Sequence, residues 1–172
     1  MAALSVLAIA VASGKVGYVY ISGGKLQDWG IALKATRSTG DLVGHAQELI
    51  NELMPDVVVT EKRTTGCRKG QRTKALIRAI AELASHNPVL DVSVQRPRGF
   101  PSKYEEAQAL AMEYPEIEGY LPTRKRRIFD FEPRSMVLFE ALALANEVIK
   151  GPPTRLTPDP NVTKVIKKAA TL

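Results

Sequence analysis

The chain has 172 residues, of which 45% are hydrophobic and 24% charged, with a formal net charge of +6 and a pI near 9.5. This length is enough for one domain with its own hydrophobic core, and the composition argues against disordered and fibrous proteins. The one cysteine, Cys67, excludes a disulfide within the chain and a cysteine-rich zinc site, and two histidines are too few for a histidine-based metal site. Metal or acid–base chemistry must therefore depend on carboxylates, and the positive charge suits polyanionic partners.

The first part of the chain predicts three consecutive antiparallel strands. They cover residues 5–12, 16–22 and 25–33, with a hairpin turn at Gly23-Gly24. The opening run, AALSVLAIAVA, has no Lys or Arg before Lys15 and is too short to span a bilayer. We therefore expect it to be a strand buried on both faces rather than a secretion signal.

Helices and strands alternate in the rest of the chain. The predicted order is βββαβαβαα. The helices after the first three strands cover residues 41–53, with Asp41 as the N-cap, 71–85, 102–112 and 133–149, and the strands between them cover residues 57–60 and 89–94. This order indicates an α/β protein in which helices cover a mixed sheet. Gly151-Pro152-Pro153 ends the last helix, so we expect one domain over residues 1–150 and a polar, basic tail over residues 151–172.

Two carboxylates, Glu61 and Glu140, are candidates for a functional site. Glu61 ends the fourth strand, and Ala10 lies near the end of the first, so both are expected at the carboxyl edge of the sheet. Glu140 lies in a predicted helix that is apolar on nearly every face, and a buried carboxylate needs a compensating charge such as a metal ion. The alternatives are an exposed ion pair for Glu61 and a narrow exposed helix face for Glu140.

Cations are concentrated in the middle of the chain. Residues 60–103 hold ten Lys or Arg against three acids, and aromatic residues are few there. This distribution predicts contacts with nucleic-acid phosphates rather than stacking on bases. The residues that we predict to bind DNA follow Glu61 directly: Lys62, Arg63, Arg68, Lys69, Arg72 and Lys74.

Three segments, in order along the chain, resemble the RuvC-type Holliday-junction resolvases of the RNase H-like nuclease superfamily. VLAIAVASGKVGYVYI is similar to the opening strand and turn of that family, PDVVVTEK to its fourth strand and FEALALA to its closing helix. The resemblance covers about residues 5–149. It implies an RNase H-like mixed sheet, in which three antiparallel strands precede the alternating helices and strands, covered by helices.

The resemblance also implies a function and a set of site residues. It implies a structure-selective endonuclease that resolves four-way (Holliday) or branched DNA with two Mg²⁺ ions, or Mn²⁺ as a substitute, and that acts as a homodimer in the cytoplasm of a bacterial or phage-infected cell, with no membrane partner. The family's catalytic positions correspond to Ala10, Glu61, Lys103 and Glu140, of which Glu61 and Glu140 would be metal ligands.

Two departures from the family pattern bear on activity. Ala10 stands where the family has its first catalytic aspartate, and Val137 stands in the slot of a second acid of the closing helix. Glu132 is a candidate substitute ligand, although a helix-capping role is the alternative. Ala10 is either an engineered inactivating change, which the retention of the other motifs favours, or the mark of a non-catalytic relative that binds branched nucleic acid.

An actin-like or kinase-like ATPase is a third possibility, because that superfamily shares the sheet order. The chain is short for such an ATPase and lacks a convincing glycine-rich phosphate motif after the first turn.

Overall fold

The computed structural model of the chain describes residues 3–63, 69–96, 99–122 and 132–151. In these residues five strands form one sheet in the order β3-β2-β1-β4-β5. The strands are β1 (Val6–Ala12), β2 (Lys15–Ser22), β3 (Lys25–Ala32), β4 (Val57–Glu61) and β5 (Leu90–Val94). The first three are antiparallel neighbours, and β4 and β5 add to β1 in parallel, so the predicted mixed sheet is confirmed.

Helices cover both faces of this sheet. They are α1 (Thr39–Leu53), α2 (Gln71–Ser85), α3 (Lys103–Glu113) and α4 (Met136–Ile149), with a short 3₁₀ helix at Pro115–Tyr120. One hydrophobic core lies between the sheet and α1 with α2, and a second lies between the sheet and α3 with α4. Because both faces are covered, β1 reads as a continuous apolar run rather than an alternating one. Within the described ranges, no helix is long and apolar enough to cross a membrane.

The helix α4 lies unusually close to the sheet at one glycine. A Cβ added to Gly17 would stand 2.7 Å from the carbonyl oxygen of Val137, which is closer than side chains tolerate. Gly17 is paired with Ala10 across the β1–β2 ladder. The absence of a side chain at Gly17 therefore lets α4 approach the sheet beside Ala10, one helical turn before Glu140.

Three local features differ from the sequence predictions. The N-cap of α1 is Ser38 rather than Asp41, because the Ser38 hydroxyl accepts a hydrogen bond from the Asp41 backbone N–H at 3.0 Å. The helix α4 begins at Met136 rather than at Pro133, since the Pro133 carbonyl accepts from Met136 three residues on, in a turn that precedes the helix. The 3₁₀ helix was not predicted. Residues 152–172, most of the predicted tail, lie outside the described residues.

Candidate active site

The two carboxylates singled out in the sequence meet at the carboxyl ends of β1 and β4. These strands pair in parallel, with Ala8 opposite Val59, and α4 places Glu140 over the same edge, only 3% exposed. The ammonium of Lys69 lies 2.8 Å from Glu61 Oε2 and 3.1 Å from Glu140 Oε2. The two carboxylate oxygens cannot be farther apart than those distances taken together, so both carboxylates line the same small site. The exposed-face alternative for Glu140 is wrong.

Three cations surround Glu140, and with the two glutamates they form what we call the carboxylate site: Glu61, Glu140, Lys69, Arg96 and Lys103. Arg96 Nη1 and Lys103 Nζ lie 3.3 Å and 3.2 Å from Glu140 Oε1. Burial by itself would raise the pKa of the Glu140 carboxyl, but the three cations outweigh burial and hold that pKa below its ordinary value. Glu140 is therefore ionised at neutral pH despite its burial.

Arg96 and Glu106 belong to this environment, although the sequence analysis did not select them as site residues. Arg96 follows the end of β5 and donates to Glu106 Oε1 at 2.9 Å while its other amino group faces Glu140. Burial would lower the pKa of Arg96, but Glu140 and Glu106 raise it overall. A signal existed in α3, because Lys103 and Glu106 share helical spacing with the buried residues Ala107 and Leu110.

Lys103 joins the site to the segment that precedes α4. Its ammonium lies 2.8 Å from Glu132 Oε1 as well as 3.2 Å from Glu140. Burial would lower the pKa of Lys103, but these two carboxylates raise it overall, so the ammonium stays protonated. Glu132 does not cap α4, whose N-cap is Ser135, so the capping alternative is wrong. A metal-binding role for Glu132 stays a prediction.

Ala10 occupies an apolar position next to the carboxylates. It is 1% exposed and belongs to the core that α4 covers, together with Val137 and Phe139. Its neighbour Val11 turns its backbone carbonyl toward Lys69, at 2.6 Å from the ammonium. The methyl group of Ala10 itself supplies no polar atom to the site.

The other predicted DNA-binding residues are placed differently from Lys69. Lys62 and Arg63 are exposed just beyond β4, and Lys74 is half-buried on the first turn of α2. Arg72 donates to the backbone carbonyls of Thr36 and Arg37, at 3.3 Å and 3.2 Å, and so braces the loop before α1. Arg68 lies outside the described residues. DNA contacts by these side chains stay predictions.

The oxygen atoms of the site fit a single cation position. Glu61 Oε2, Glu140 Oε2 and the Val11 carbonyl converge on one point, where the Lys69 ammonium lies. Hard oxygen ligands of this kind suit Mg²⁺ or Mn²⁺. In the part of the chain that the structure describes, no group of three or more His, Cys, Asp or Glu is assembled for a metal ion. Among the described residues, Glu61 and Glu140 could therefore hold one divalent ion if Lys69 withdrew.

The sheet order and the helices on both faces define an RNase H-like α/β fold. Within that class the chain has a RuvC-like resolvase fold, as three similar solved structures show. The Thermus thermophilus RuvC structure aligns over 86% of this chain and 97% of its own, with a TM-score of 0.53 and 15% identity. T. thermophilus RuvC in complex with Holliday junction substrate aligns over 83% and 90%, with a TM-score of 0.58 and 14% identity.

A viral protein shares the same fold. Fowlpox virus resolvase, in its complex with substrate Holliday junction DNA, aligns over 85% of this chain and 99% of its own, with a TM-score of 0.55 and 11% identity. No protein-family model and no curated protein matches the chain.

Proposed function

We propose that the chain is built as a structure-selective endonuclease for four-way or branched DNA, and that Ala10 leaves this form inactive. The observation that carries the proposal is the meeting of Glu61 and Glu140 at the carboxyl ends of β1 and β4, in a RuvC-like resolvase fold. The two glutamates come from elements far apart in the sequence. Their meeting next to Ala10 supports a role for position 10 in the same site.

Glu61 and Glu140 are the residues that would hold a divalent ion, Mg²⁺ or Mn²⁺. Such an ion stabilises charge on the attacking and leaving oxygens of a phosphodiester. An aspartate at position 10 would add a third carboxylate to the pair. Lys103 keeps its proton between Glu132 and Glu140 and is 44% exposed, so its ammonium is available to a phosphate that enters the site. With Ala10 in place, the carboxylate that would complete the site is missing.

Branched DNA is the partner that we propose, because two of the similar solved structures are complexes with Holliday junction DNA. The exposed Lys62 and Arg63 lie directly beyond Glu61, where they would contact phosphates that flank the site. Two symmetric nicks across a junction need two sites related by a two-fold axis, so we propose a homodimer. The place of action would be the cytoplasm of a bacterial or phage-infected cell.

The decisive experiment restores the acid at position 10. Ala10→Asp should nick a four-way junction in the presence of Mg²⁺ or Mn²⁺, whereas the matched variant Ala10→Asn, which has the same shape without the charge, should not. The double variant Ala10→Asp with Glu61→Gln should also fail to nick, because both side chains would have to reach the same ion. The unmodified chain serves as the inactive reference.

A non-catalytic protein that binds branched nucleic acid is the second candidate. Its support is that the carboxylate site is already neutralised by Lys69, Arg96 and Lys103. In that case the unmodified chain would bind a four-way junction more tightly than linear duplex, with affinity falling steeply as salt rises, and Ala10→Asp would show no nicking. Equal affinity for junction and duplex would instead indicate a general basic binder.

A further inference from the structure

Lys69 makes a complete set of hydrogen bonds inside the carboxylate site. An ammonium has three N–H donors, and Lys69 has three acceptors within reach. They are the Val11 carbonyl at 2.6 Å, Glu61 Oε2 at 2.8 Å and Glu140 Oε2 at 3.1 Å. Each acceptor belongs to a different element, namely β1, β4 or α4. Such a set is unexpected for a lysine that directly precedes the N-cap of α2, where a basic side chain would ordinarily extend into solvent.

The burial of Lys69 supports the same conclusion. Its side chain is 16% exposed, against 67% for Arg78 on the outer face of α2. Withdrawing a lysine from water is costly unless its charge is paired. Here the cost is offset because Lys69 lies between two carboxylates that would otherwise repel each other. The arrangement thus stabilises both the lysine and the acids.

We propose that Lys69 is the built-in counter-cation of this site: its ammonium holds the single cation position between Glu61 and Glu140, so that a divalent ion binds there only by displacing it. The inference goes beyond the proposed endonuclease function, because it concerns how the site is kept neutral and does not depend on DNA being cut. Lys69 is therefore assigned to the carboxylate site, and its predicted contact with DNA stays a prediction.

Competition between Lys69 and a divalent ion follows from the shared ligands. The oxygens that accept from the ammonium are the same oxygens that would bind Mg²⁺ or Mn²⁺, and two cations cannot occupy one position. The apparent affinity for the metal is then reduced by the fraction of molecules in which Lys69 has withdrawn. Removing the ammonium should increase that affinity without any other change to the ligands.

The test measures Mn²⁺ binding without DNA. Lys69→Met keeps most of the length of the side chain and removes its charge, and the matched control Lys62→Met removes one positive charge from an exposed lysine that follows Glu61 directly. Binding is followed by the loss of the electron paramagnetic resonance signal of free Mn²⁺ and by the rise in Tm with added Mn²⁺. We expect Lys69→Met to bind Mn²⁺ about tenfold more tightly than the unmodified chain. This is the gain expected if Lys69 has withdrawn from the carboxylates in about one-tenth of the unmodified molecules.

The control separates a local effect from a general one. Lys62→Met should change Mn²⁺ affinity much less, since the charge of an exposed lysine is screened by water and salt. Without metal, Lys69→Met should melt below Lys62→Met, because it leaves two carboxylates close together without their shared cation. Equal Mn²⁺ affinity in the two variants would overturn the proposal. The Mn²⁺ measurement contains no DNA, so its outcome does not depend on whether Ala10→Asp nicks a junction. The two proposals can therefore fail separately.

A second variant covers the case in which Lys69→Met does not fold in metal-free buffer. The double variant Lys69→Met with Glu61→Gln removes one acid together with the lysine, so the remaining carboxylate keeps Arg96 and Lys103 as partners. We expect this variant to fold and to have lost the gain in Mn²⁺ affinity, since one ligand is gone. If the double variant were also unfolded, Lys69 would act by packing and not as a counter-cation, and the proposal would fail.

Discussion

Acidic side chains lie at both ends of the β1–β4 strand pair, but they have different partners: neutral hydrogen-bond donors at the amino end and a cation at the carboxyl end. At the amino end, the Asp56 carboxylate accepts from the Ser5 backbone N–H at 2.8 Å and from the Ser5 hydroxyl at 2.9 Å. At the carboxyl end, Glu61 and Glu140 are held by the ammonium of Lys69. Asp56 is stabilised by neutral donors of Ser5, the residue before β1, whereas Glu61 and Glu140 are stabilised by a cation from another part of the fold.

This difference explains why only one end is a candidate for chemistry. Asp56 also donates its backbone N–H to the Ser5 hydroxyl at 2.9 Å, so the two residues satisfy each other's hydrogen bonds, and the Asp56 carboxylate keeps its charge at an exposed position. At the carboxyl end, buried acids and cations face each other, and removing one partner leaves an opposite charge without compensation. The acids at the carboxyl end therefore depend on the cations beside them, whereas the Asp56 carboxylate depends on hydrogen bonds from Ser5.

The largest effect on stability should come from removing a cation at the carboxyl end. Arg96→Met would leave Glu106 and Glu140 short of a partner, and both are nearly buried. We expect a loss of about 3 kcal/mol in the free energy of unfolding, measured by urea denaturation. The control is Arg78→Met, which breaks an exposed pair with Glu82 and should cost less than about 0.5 kcal/mol. Equal losses would mean that the buried charges add nothing beyond an ordinary surface pair.

A smaller effect should follow from separating α4 from the sheet beside the site. Gly17→Ala brings a methyl group against the Val137 carbonyl, and we expect a loss of about 2 kcal/mol because backbone must shift. The control Gly44→Ala lies in α1 with open space around it and should stabilise the chain by about 0.5 kcal/mol. Thermal unfolding of the two variants gives the comparison. A Gly17→Ala variant as stable as the unmodified chain would show that α4 moves freely over β2.

The smallest effect should come from the amino end, and it should depend on pH. Hydrogen bonds from Ser5 hold the pKa of Asp56 below its ordinary value of 3.8. A carboxyl whose pKa is lowered by folding stabilises the native state above its unfolded pKa, and this contribution is lost as the pH falls through the folded value. Ser5→Ala should therefore raise the pKa of Asp56 and lower stability at about pH 6, but much less at about pH 2.5.

Carbon-13 NMR of the Asp56 carboxyl would record the change in its pKa, and urea denaturation at the two pH values would record the stability. The titration of Glu140 should stay as it is in Ser5→Ala, because its pKa is set by Lys69, Arg96 and Lys103 against burial. If Ser5→Ala shifted both carboxyls, the two ends of the strand pair would be coupled and the contrast between them would not hold.

Several parts of this structure could be predicted because they depend on the pattern of apolar and polar residues within short segments. The continuous apolar run of β1 indicates a strand covered on both faces, and the alternation that follows gives the order of the mixed sheet. Glu140 stands out because a single charge in an apolar helix has to be compensated, and Glu61 because it ends a buried strand. In both cases a charged residue lies next to an apolar segment, and this contrast is visible in the sequence.

Only the tertiary structure decided which cations meet those acids. Lys69 lies in a run of similar basic residues, and nothing in that run distinguishes the side chain that turns inward from those that face solvent. Its direction depends on the Val11 carbonyl, which comes 58 residues earlier in the chain, and on Glu140 in a helix near the other end. The sequence by itself determined the elements and the acids, because those follow from burial. The pairing of charges was decided by the fold, because electrostatic contacts depend on distance in space and not on order along the chain.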